Sequence, residues 1–208
     1  MAPIVGVTMG DPCGIGPEIV LKSLCDDKLH RHDCRFIVFG SSDVLREMVQ
    51  KLALDIEVCS TKSVEEATVD AKRIVVYECS NFGPVGDRFG KELKEAGQAA
   101  LDAIHRSAEL VCAKEIQAVA TAPVSKTSLH MAGCKVPGHA EIFAGHAKAD
   151  IVATMLMHGE FRVVHLSTHV SLREACDLVK QDRIVTMTKL AHQALLAMGI
   201  KEPKIALA

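Results

Sequence analysis

The chain has 208 residues, of which 49% are hydrophobic and 24% are charged, a balance that allows a buried core and excludes a disordered chain. Its 24 basic residues against 26 acidic ones give a net charge of −2, which excludes a basic field for nucleic acid or an anionic membrane. Tryptophan is absent and aromatic residues total 3%, so stacking platforms for single-stranded nucleic acid are not expected. The first residues lack the regions of a signal peptide, and apolar stretches fall far short of the ~20 residues that span a bilayer. We therefore expect a cytoplasmic protein with no nucleic-acid partner and no membrane partner.

Short β-rich segments alternate with longer helical patterns along the first 120 residues. Strands are predicted at residues 4–9, 34–39, 56–58, 74–77 and 118–120. Helices are predicted at residues 18–25, 43–52 and 91–116, the second of them with an N-cap in residues 41–43. This alternation favours an α/β fold with a largely parallel sheet flanked by helices.

The sequence after residue 120 predicts one antiparallel pair of strands. Residues 121–138 have the glycine and proline content of a loop with one short helix. Two apolar strands at 151–157 and 161–166 flank a turn and form a hairpin, and residues 171–199 are helical with a break near Lys180. Residues 204–208 begin an apolar strand with nothing after it, so we expect the chain to be incomplete at its C-terminus.

Eight cysteines are spread almost evenly along the chain, with no Cys-x-x-Cys pair. Without a secretion signal, this spacing predicts reduced and mostly buried thiols in preference to disulfides or zinc sites.

The densest motif occupies residues 10–18, directly after the first predicted strand. Three glycines and two prolines at a strand-to-helix junction make a turn that can bring backbone N–H groups close to an anion. The motif lacks both the Gly-Lys-Ser/Thr of a P-loop and the third glycine of a dinucleotide fingerprint. Its acidic residues, Asp11 and Glu18, also oppose simple phosphate binding, so a purely structural turn remains an alternative.

Two further motifs follow the fifth predicted strand. Lys126 lies just past the carboxyl end of that strand, where α/β folds bind ligands, although a solvated lysine in a first helical turn is an equal alternative. His139 follows a Pro-Gly turn and precedes a helix, so it could contact a phosphate or act as an acid or base. Most histidines do neither.

The fourth motif contains His165, Ser167 and His169, which strand alternation would place on one side. Two strand histidines four residues apart are about 13 Å apart, at ~3.3 Å per residue, too far to share one metal ion. His169 at the predicted strand end is better placed as a ligand than His165, and the other ligands would have to come from elsewhere.

Taken together and in this order, the four motifs resemble those of the 4-hydroxythreonine-4-phosphate dehydrogenase family, the PdxA family of pyridoxine biosynthesis. The resemblance rests on Gly-Asp-Pro-x-Gly-Ile-Gly-Pro-Glu at 10–18, Thr-Ala-Pro-x-x-Lys at 121–126, the His139 turn and Thr-His-x-x-Leu-Arg at 168–173. It runs essentially from Val5 to Ala208, the amino-terminal part of that family's chain.

The resemblance implies a fold related to the isocitrate and isopropylmalate dehydrogenases, with a first domain at 1–120 and the start of a second, dimerisation and metal-binding domain at 121–208. It implies a homodimer with the active site at the interface, NAD or NADP as cofactor, and a divalent metal such as Zn, Mg, Co or Mn. The family oxidises a secondary alcohol beside a carboxylate in a phosphorylated hydroxy acid, and the resulting β-keto acid can lose CO₂. The metal would stabilise the alkoxide and the developing ketone, and the nicotinamide would accept the hydride.

Site residues carry over from the family one by one. His139 matches a substrate-binding histidine, and the next, substrate-binding position is Ala140 in place of the family's usual threonine. His169 matches the first of three metal-binding histidines, and the other two are expected beyond Ala208. The resemblance also marks an active-site loop and two basic positions without a settled role: Gly10, Asp11, Gly14, Gly16, Glu18, Lys126 and Arg173.

The segment 165–173 looks closer to the family branch that acts on 4-phosphothreonate or 4-phosphoerythronate, and another branch oxidises aromatic cis-dihydrodiol carboxylates. Two other classes of function stay open. One is an acyl- or phosphoryl-transfer enzyme on a related scaffold, which would turn over without reducing a nicotinamide. The other is a non-catalytic, truncated ligand-binding protein.

Overall fold

The computed structural model describes residues 2–26, 34–136, 138–168 and 170–208. The chain forms two compact units, Met1–Ala149 and Asp150–Ala208. The predicted domain boundary at 120/121 does not coincide with this division, because the segment after residue 120 packs onto the long helix of the first unit. A boundary at 120/121 in the longer two-domain fold stays a prediction.

A five-stranded parallel sheet forms the centre of the first unit. Its strands are β1 (Ile4–Thr8), β2 (Arg35–Gly40), β3 (Glu57–Thr61), β4 (Arg73–Glu78) and β5 (Ala118–Thr121). Their spatial order is β3-β4-β2-β1-β5, which makes β3 and β5 the edges. All five predicted strands and the parallel sheet are therefore confirmed.

Helices cover both faces of this sheet. The α-helices of this unit, within the described residues, are α1 (Gly16–Leu24), α2 (Ser42–Lys51), α3 (Lys94–Cys112), α4 (Lys126–Met131) and α5 (His139–Ala147). The first three lie against the sheet. Alternation along β2 places Val38 in one hydrophobic cluster with α1 and α2, and Ile37 and Phe39 in another with α3. The helices α4 and α5 pack against α3 through a third cluster that contains Leu129 and Ile142.

The second unit contains the predicted hairpin, with β6 (Met155–His158) antiparallel to β7 (Phe161–Val164). Its first strand is shorter than the predicted 151–157, since residues 151–154 are not in a strand. The helices of this unit are α6 (Leu172–Asp177) and α7 (Gln181–Ala197), and the expected break lies at Lys180, the N-cap of α7. No helix in the described part of the chain is long and apolar enough to cross a membrane.

Three further expectations about secondary structure were wrong. Residues 204–208 form no strand, and Leu207 is 71% exposed, because no described strand pairs with this segment. The strand that should carry His165 and Ser167 ends at Val164, so the alternation argument does not apply to these side chains. The long helix is shorter than 91–116, since Leu93 is extended and the chain turns after Cys112.

The cysteines are all free thiols, as expected. They are less buried than expected, since Cys13 alone is fully buried and two of the eight, Cys112 and Cys176, are exposed. Burial raises the pKa of Cys79 to about 12, which keeps that thiol protonated and unreactive near neutral pH.

Candidate functional site

The order of the strands changes direction between β1 and β5, which are neighbours in the sheet. The carboxyl ends of these two strands therefore lie at a topological switch point. From β1 the chain moves to β2 on one side, whereas β5 lies on the other side of β1. The loop after β1 leads into α1 on one face, and the loop after β5 leads into α4, which packs on α3 on the opposite face. Parallel α/β sheets bind ligands at such points. Two of the predicted motifs, residues 10–18 and 121–126, lie there.

Backbone hydrogen bonds join the two loops directly. The N–H of Asp11 donates to the carbonyl oxygen of Pro123 at 3.0 Å, and the N–H of Ala122 donates to that of Thr8 at 3.2 Å. Gly10 has a φ of +77°, and a Cβ there would lie 2.3 Å from the Pro123 oxygen. Glycine is therefore required at position 10 both for its backbone conformation and for the close approach of the second loop.

The side chain of Asp11 connects the same two loops. It is 5% exposed, and its Oδ1 accepts the Cys13 N–H at 2.8 Å. The carboxyl group also accepts hydrogen bonds from the Ser125 backbone and the Ser128 hydroxyl. Burial raises the pKa of Asp11, although these hydrogen bonds act in the opposite direction. Asp11 therefore acts as a buried structural bridge.

Ser125 and Ser128 extend this bridge to the start of α3. Ser125 is the N-cap of α4, where its Oγ accepts the Ser128 N–H at 3.1 Å. The Ser125 hydroxyl lies 3.3 Å from the carboxylate of Glu92, to which it can donate, and the Ser128 oxygen accepts the Leu93 N–H at 3.3 Å. The loop after β5 is consequently held from two directions, by the loop after β1 and by the N-terminus of α3.

The other predicted loop residues have separate local environments. Gly16 begins α1, where a Cβ would lie 2.2 Å from the Met9 carbonyl oxygen. Gly14 is partly buried, with ordinary contact distances around a Cβ. Glu18 is paired with Lys22 one turn further along α1, so its charge is locally neutralised. Lys126, the first residue of α4, is exposed beside the joined loops.

His139 is the first residue of α5, and Gly138 is the N-cap. Its ring is partly buried, and among the described residues its Nε2 is buried without a hydrogen-bond partner. Burial lowers the pKa of His139, which favours a neutral ring near pH 7. A buried nitrogen without a partner loses its hydrogen bond to water and would gain stability from a polar ligand group.

The structure does not assemble every predicted residue into one site. Ala140 is exposed in the first turn of α5, and Arg173 is exposed on α6 in the second unit. His169 lies outside the described residues. Within the described ranges, no group of three or more histidine, cysteine, aspartate or glutamate side chains could hold a metal ion.

A separate cavity of about 510 Å³ lies in the first unit and is lined from α3, α5 and the segment between α4 and α5. None of the predicted site residues that the structure describes lines it. His105 and His146 face each other at its wall, with the Nδ1 of His105 2.8 Å from the Nε2 of His146. Burial and the neighbouring imidazole lower the pKa of His105.

Comparison with known proteins identifies the family. The family model of the pyridoxal phosphate biosynthetic protein PdxA matches residues 32–208 of the chain. The chain belongs to the PdxA family. Among curated PdxA relatives, the D-threonate 4-phosphate dehydrogenase of Cupriavidus necator is 35% identical over 205 residues, which cover 98% of this chain and 60% of that protein.

Solved structures show the same PdxA fold. A 4-hydroxythreonine-4-phosphate dehydrogenase from Burkholderia phymatum superposes with a TM-score of 0.87 at 30% identity, over 98% of this chain and 61% of that one. A terephthalate 1,2-cis-dihydrodiol dehydrogenase from Burkholderia xenovorans LB400 gives a TM-score of 0.67 at 25% identity, over 98% and 60% of the two chains. The α/β fold of PdxA dehydrogenases is thereby confirmed, and the chain spans about three fifths of the length of these relatives.

Sequence reasoning did not identify three members of the loop network, Glu92, Ser125 and Ser128, as residues with a structural role. The spacing of Ser125 and Ser128 matches an N-cap and the third helical position, which is a usable signal for a capped helix start. Glu92 has no such signal, because its partner lies 33 residues away.

Proposed function

We propose that this PdxA-family chain belongs to an NAD(P)-dependent and divalent-metal-dependent dehydrogenase that oxidises the secondary alcohol of a phosphorylated hydroxy acid. The substrate is 4-hydroxythreonine 4-phosphate, 4-phosphothreonate or 4-phosphoerythronate, and the β-keto acid product can lose CO₂. The observation that carries the proposal is similarity over 98% of the chain to two enzymes named as dehydrogenases of phosphorylated hydroxy acids.

The phosphorylated substrates are preferred to aromatic dihydrodiols because the fold agrees better with that branch. The TM-score is 0.87 with the 4-hydroxythreonine-4-phosphate dehydrogenase and 0.67 with the dihydrodiol dehydrogenase, over the same share of this chain.

His139 is proposed to bind the substrate, and the buried Nε2 without a described partner supports this role. A neutral imidazole can donate one hydrogen bond from this nitrogen to a phosphate or carboxylate oxygen. Ala140, beside it, has no hydroxyl to offer, so the substrate would receive one hydrogen bond fewer there than from a threonine.

The loops after β1 and β5, which are joined by hydrogen bonds, are proposed to form a rigid part of the substrate-binding site. Gly10 and Asp11 fix the loop after β1 against Pro123, and this leaves Lys126 exposed at the start of α4. An exposed ammonium at this position can attract an anionic substrate group, while the neutralised Glu18 opposes it little.

The metal is proposed to use His169, and Arg173 is proposed to lie near the reacting groups. Among the described residues, no group of three or more histidine, cysteine, aspartate or glutamate side chains could hold this ion. When bound, the metal and the nicotinamide would supply alkoxide stabilisation and hydride acceptance. A homodimer with the active site at its interface, a cytoplasmic location and the domains 1–120 and 121–208 complete the proposal.

The test uses a chain of the relatives' full length that contains this sequence. It is supplied with Mg²⁺, Mn²⁺, Co²⁺ or Zn²⁺, with NAD or NADP, and with each of the three phosphorylated acids, and the absorbance of the reduced nicotinamide is followed. We expect reduction with at least one acid and none with a terephthalate cis-dihydrodiol. Acyl or phosphoryl transfer without nicotinamide reduction, or a preference for the dihydrodiol, would contradict the proposal.

A further inference from the structure

Two histidines on neighbouring helices face each other in the first unit. His105 on α3 and His146 on α5 have their Nδ1 and Nε2 atoms 2.8 Å apart, with ring centroids 5.1 Å apart and ring planes at 54°. A neutral imidazole carries one proton on its two nitrogens, so one of the facing nitrogens donates and the other accepts. Two imidazole nitrogens from two separate helices thus converge on one point.

The surroundings of the pair leave room for further ligands. Both rings line the cavity of about 510 Å³, together with the side chains of Cys134, Lys135 and Glu141. The described residues provide no third side chain at ligating distance, so water would have to occupy the remaining coordination positions of an ion bound there.

We propose that His105 and His146 together bind a divalent transition metal ion of the Zn²⁺ class, with water from the cavity as the other ligands. Neutral imidazole is a preferred ligand of Zn²⁺, Ni²⁺ and Cu²⁺. Tetrahedral coordination at Zn–N distances of ~2.0–2.1 Å needs the two nitrogens roughly 3.3 Å apart, so the rings must separate by only about half an ångström. The ring that donates in the metal-free pair must first move its proton, through water, to its other nitrogen. Both facing nitrogens are then free to ligate, and binding releases no net proton.

The charges near the pair are mixed and include acidic groups that favour a cation. Asp102 and Glu109 lie three and four residues from His105 on α3, on the same side of the helix, and act on its ring electrostatically. Glu141 and Lys135 line the cavity with opposite charges. The proposed site is independent of His169 and of the proposed dehydrogenase activity.

The test titrates Zn²⁺ into the 208-residue chain carrying His169→Ala, so that the metal ligand of the proposed function cannot contribute. Calorimetry gives the stoichiometry, and nitrogen NMR of the histidine rings identifies the ligating atoms. We expect one ion per chain, with the resonances of His105 Nδ1 and His146 Nε2 shifted. Either His105→Ala or His146→Ala should weaken binding at least about tenfold, since a lost direct ligand costs at least as much as the loss of a supporting one.

His192→Ala is the matched control, because His192 is an exposed histidine on α7 in the second unit. It should leave the affinity unchanged, and Cys134→Ser should do the same, because the proposed site uses water and not this thiol as a further ligand. If Zn²⁺ left the nitrogen resonances of His105 and His146 unshifted in the His169→Ala chain, the proposal would be overturned. This result does not depend on whether the alanine variants of the pair fold. Equal affinity in His105→Ala and His192→Ala would also overturn it.

Discussion

The backbone N–H of Asp11 donates to the carbonyl oxygen of Pro123 across 3.0 Å, which connects the loops after two adjacent parallel strands, β1 and β5. The residues are 112 positions apart in the sequence. This bond, the bridging carboxyl group of Asp11 and the glycine at position 10 make one rigid unit from two motifs that lie far apart in the sequence.

Replacement of Gly10 by alanine should destabilise the protein by about 2–4 kcal/mol, because it combines left-handed backbone strain with a clash against Pro123. Gly14→Ala is the control in the same loop, since a Cβ there meets no atom closer than 3.5 Å. It should change the free energy of unfolding by no more than about 1 kcal/mol. Urea unfolding of both variants measures the difference, and equal midpoints would show that the close approach at Gly10 does not matter.

Asp11 should make the protein less stable as the pH rises. Burial raises its pKa in the folded state, so between the unfolded value of about 3.9 and the higher folded value the folded state binds more protons. Its favourable contribution is complete below the unfolded pKa and is lost as the pH rises through the folded one. Asp11→Asn should therefore gain stability relative to the wild type as the pH is raised from about 4.

Asp87→Asn is a control for which the pH dependence of stability should have the opposite sign. Lys91 lowers the pKa of the exposed Asp87, so the contribution of this group is present above the unfolded pKa and lost as the pH falls. Unfolding curves from pH 3 to pH 7 should show opposite slopes for the two variants relative to the wild type. Parallel slopes would show that burial of Asp11 does not control its titration.

In a full-length enzyme that contains this sequence, His139→Ala should retain the metal and raise KM. Loss of one hydrogen bond to a charged group costs about 1.5–3 kcal/mol, or roughly 10- to 150-fold in kcat/KM. His169→Ala should instead abolish turnover, and added metal should rescue little. Metal analysis beside steady-state kinetics separates the roles, and loss of metal from His139→Ala would refute the assignment.

Ala140→Thr should change the order of preferred substrates. The new hydroxyl can donate a hydrogen bond beside His139, which should improve turnover of 4-hydroxythreonine 4-phosphate relative to the other acids by about 5- to 10-fold, the effect of ~1 kcal/mol. Ala140→Ser is a useful partner, because it restores the hydroxyl without the methyl group. An unchanged ranking in both variants would mean that the alanine does not influence specificity.

The 208-residue chain purified alone should show no NAD(P)-dependent turnover and should lose its metal to a chelator. Of the three metal-binding histidines that the family resemblance implies, this sequence contains His169. The site proposed at His105 and His146 has only two protein ligands, so a chelator should remove metal from it as well. Dialysis against a chelator followed by metal analysis tests this. Stoichiometric retained metal, or measurable nicotinamide reduction, would be the contrary result.

Local patterns were sufficient to predict most elements of the fold. The apolar run at β1, the N-cap at Ser41 and the break at Lys180 depend on neighbouring residues, and each lies where the sequence places it. Residues 204–208 have the same apolar character as a strand, but a strand forms only when a neighbour accepts its hydrogen bonds, and sequence pattern cannot supply that information.

The candidate site was harder to predict, since it depends on contacts between distant residues. The motif around Asp11 indicated a functional loop, but the burial of its carboxyl group follows from Ser125 and Ser128, more than 110 residues later. His105 and His146 have no sequence signal at all, because 41 residues separate them and only the packing of α5 on α3 brings them together.

The outer edge of β5 has a consequence for handling this protein. On its other side the strand pairs with β1, no described strand pairs with its outer edge, and three of its four residues, Ala118, Ala120 and Thr121, are exposed. The strand carries no charge, whereas the opposite edge strand begins with Glu57. Uncharged open edges are templates for strand addition between molecules. We therefore expect concentrated solutions of the 208-residue chain to self-associate through β5, and Ala120→Lys to suppress that association.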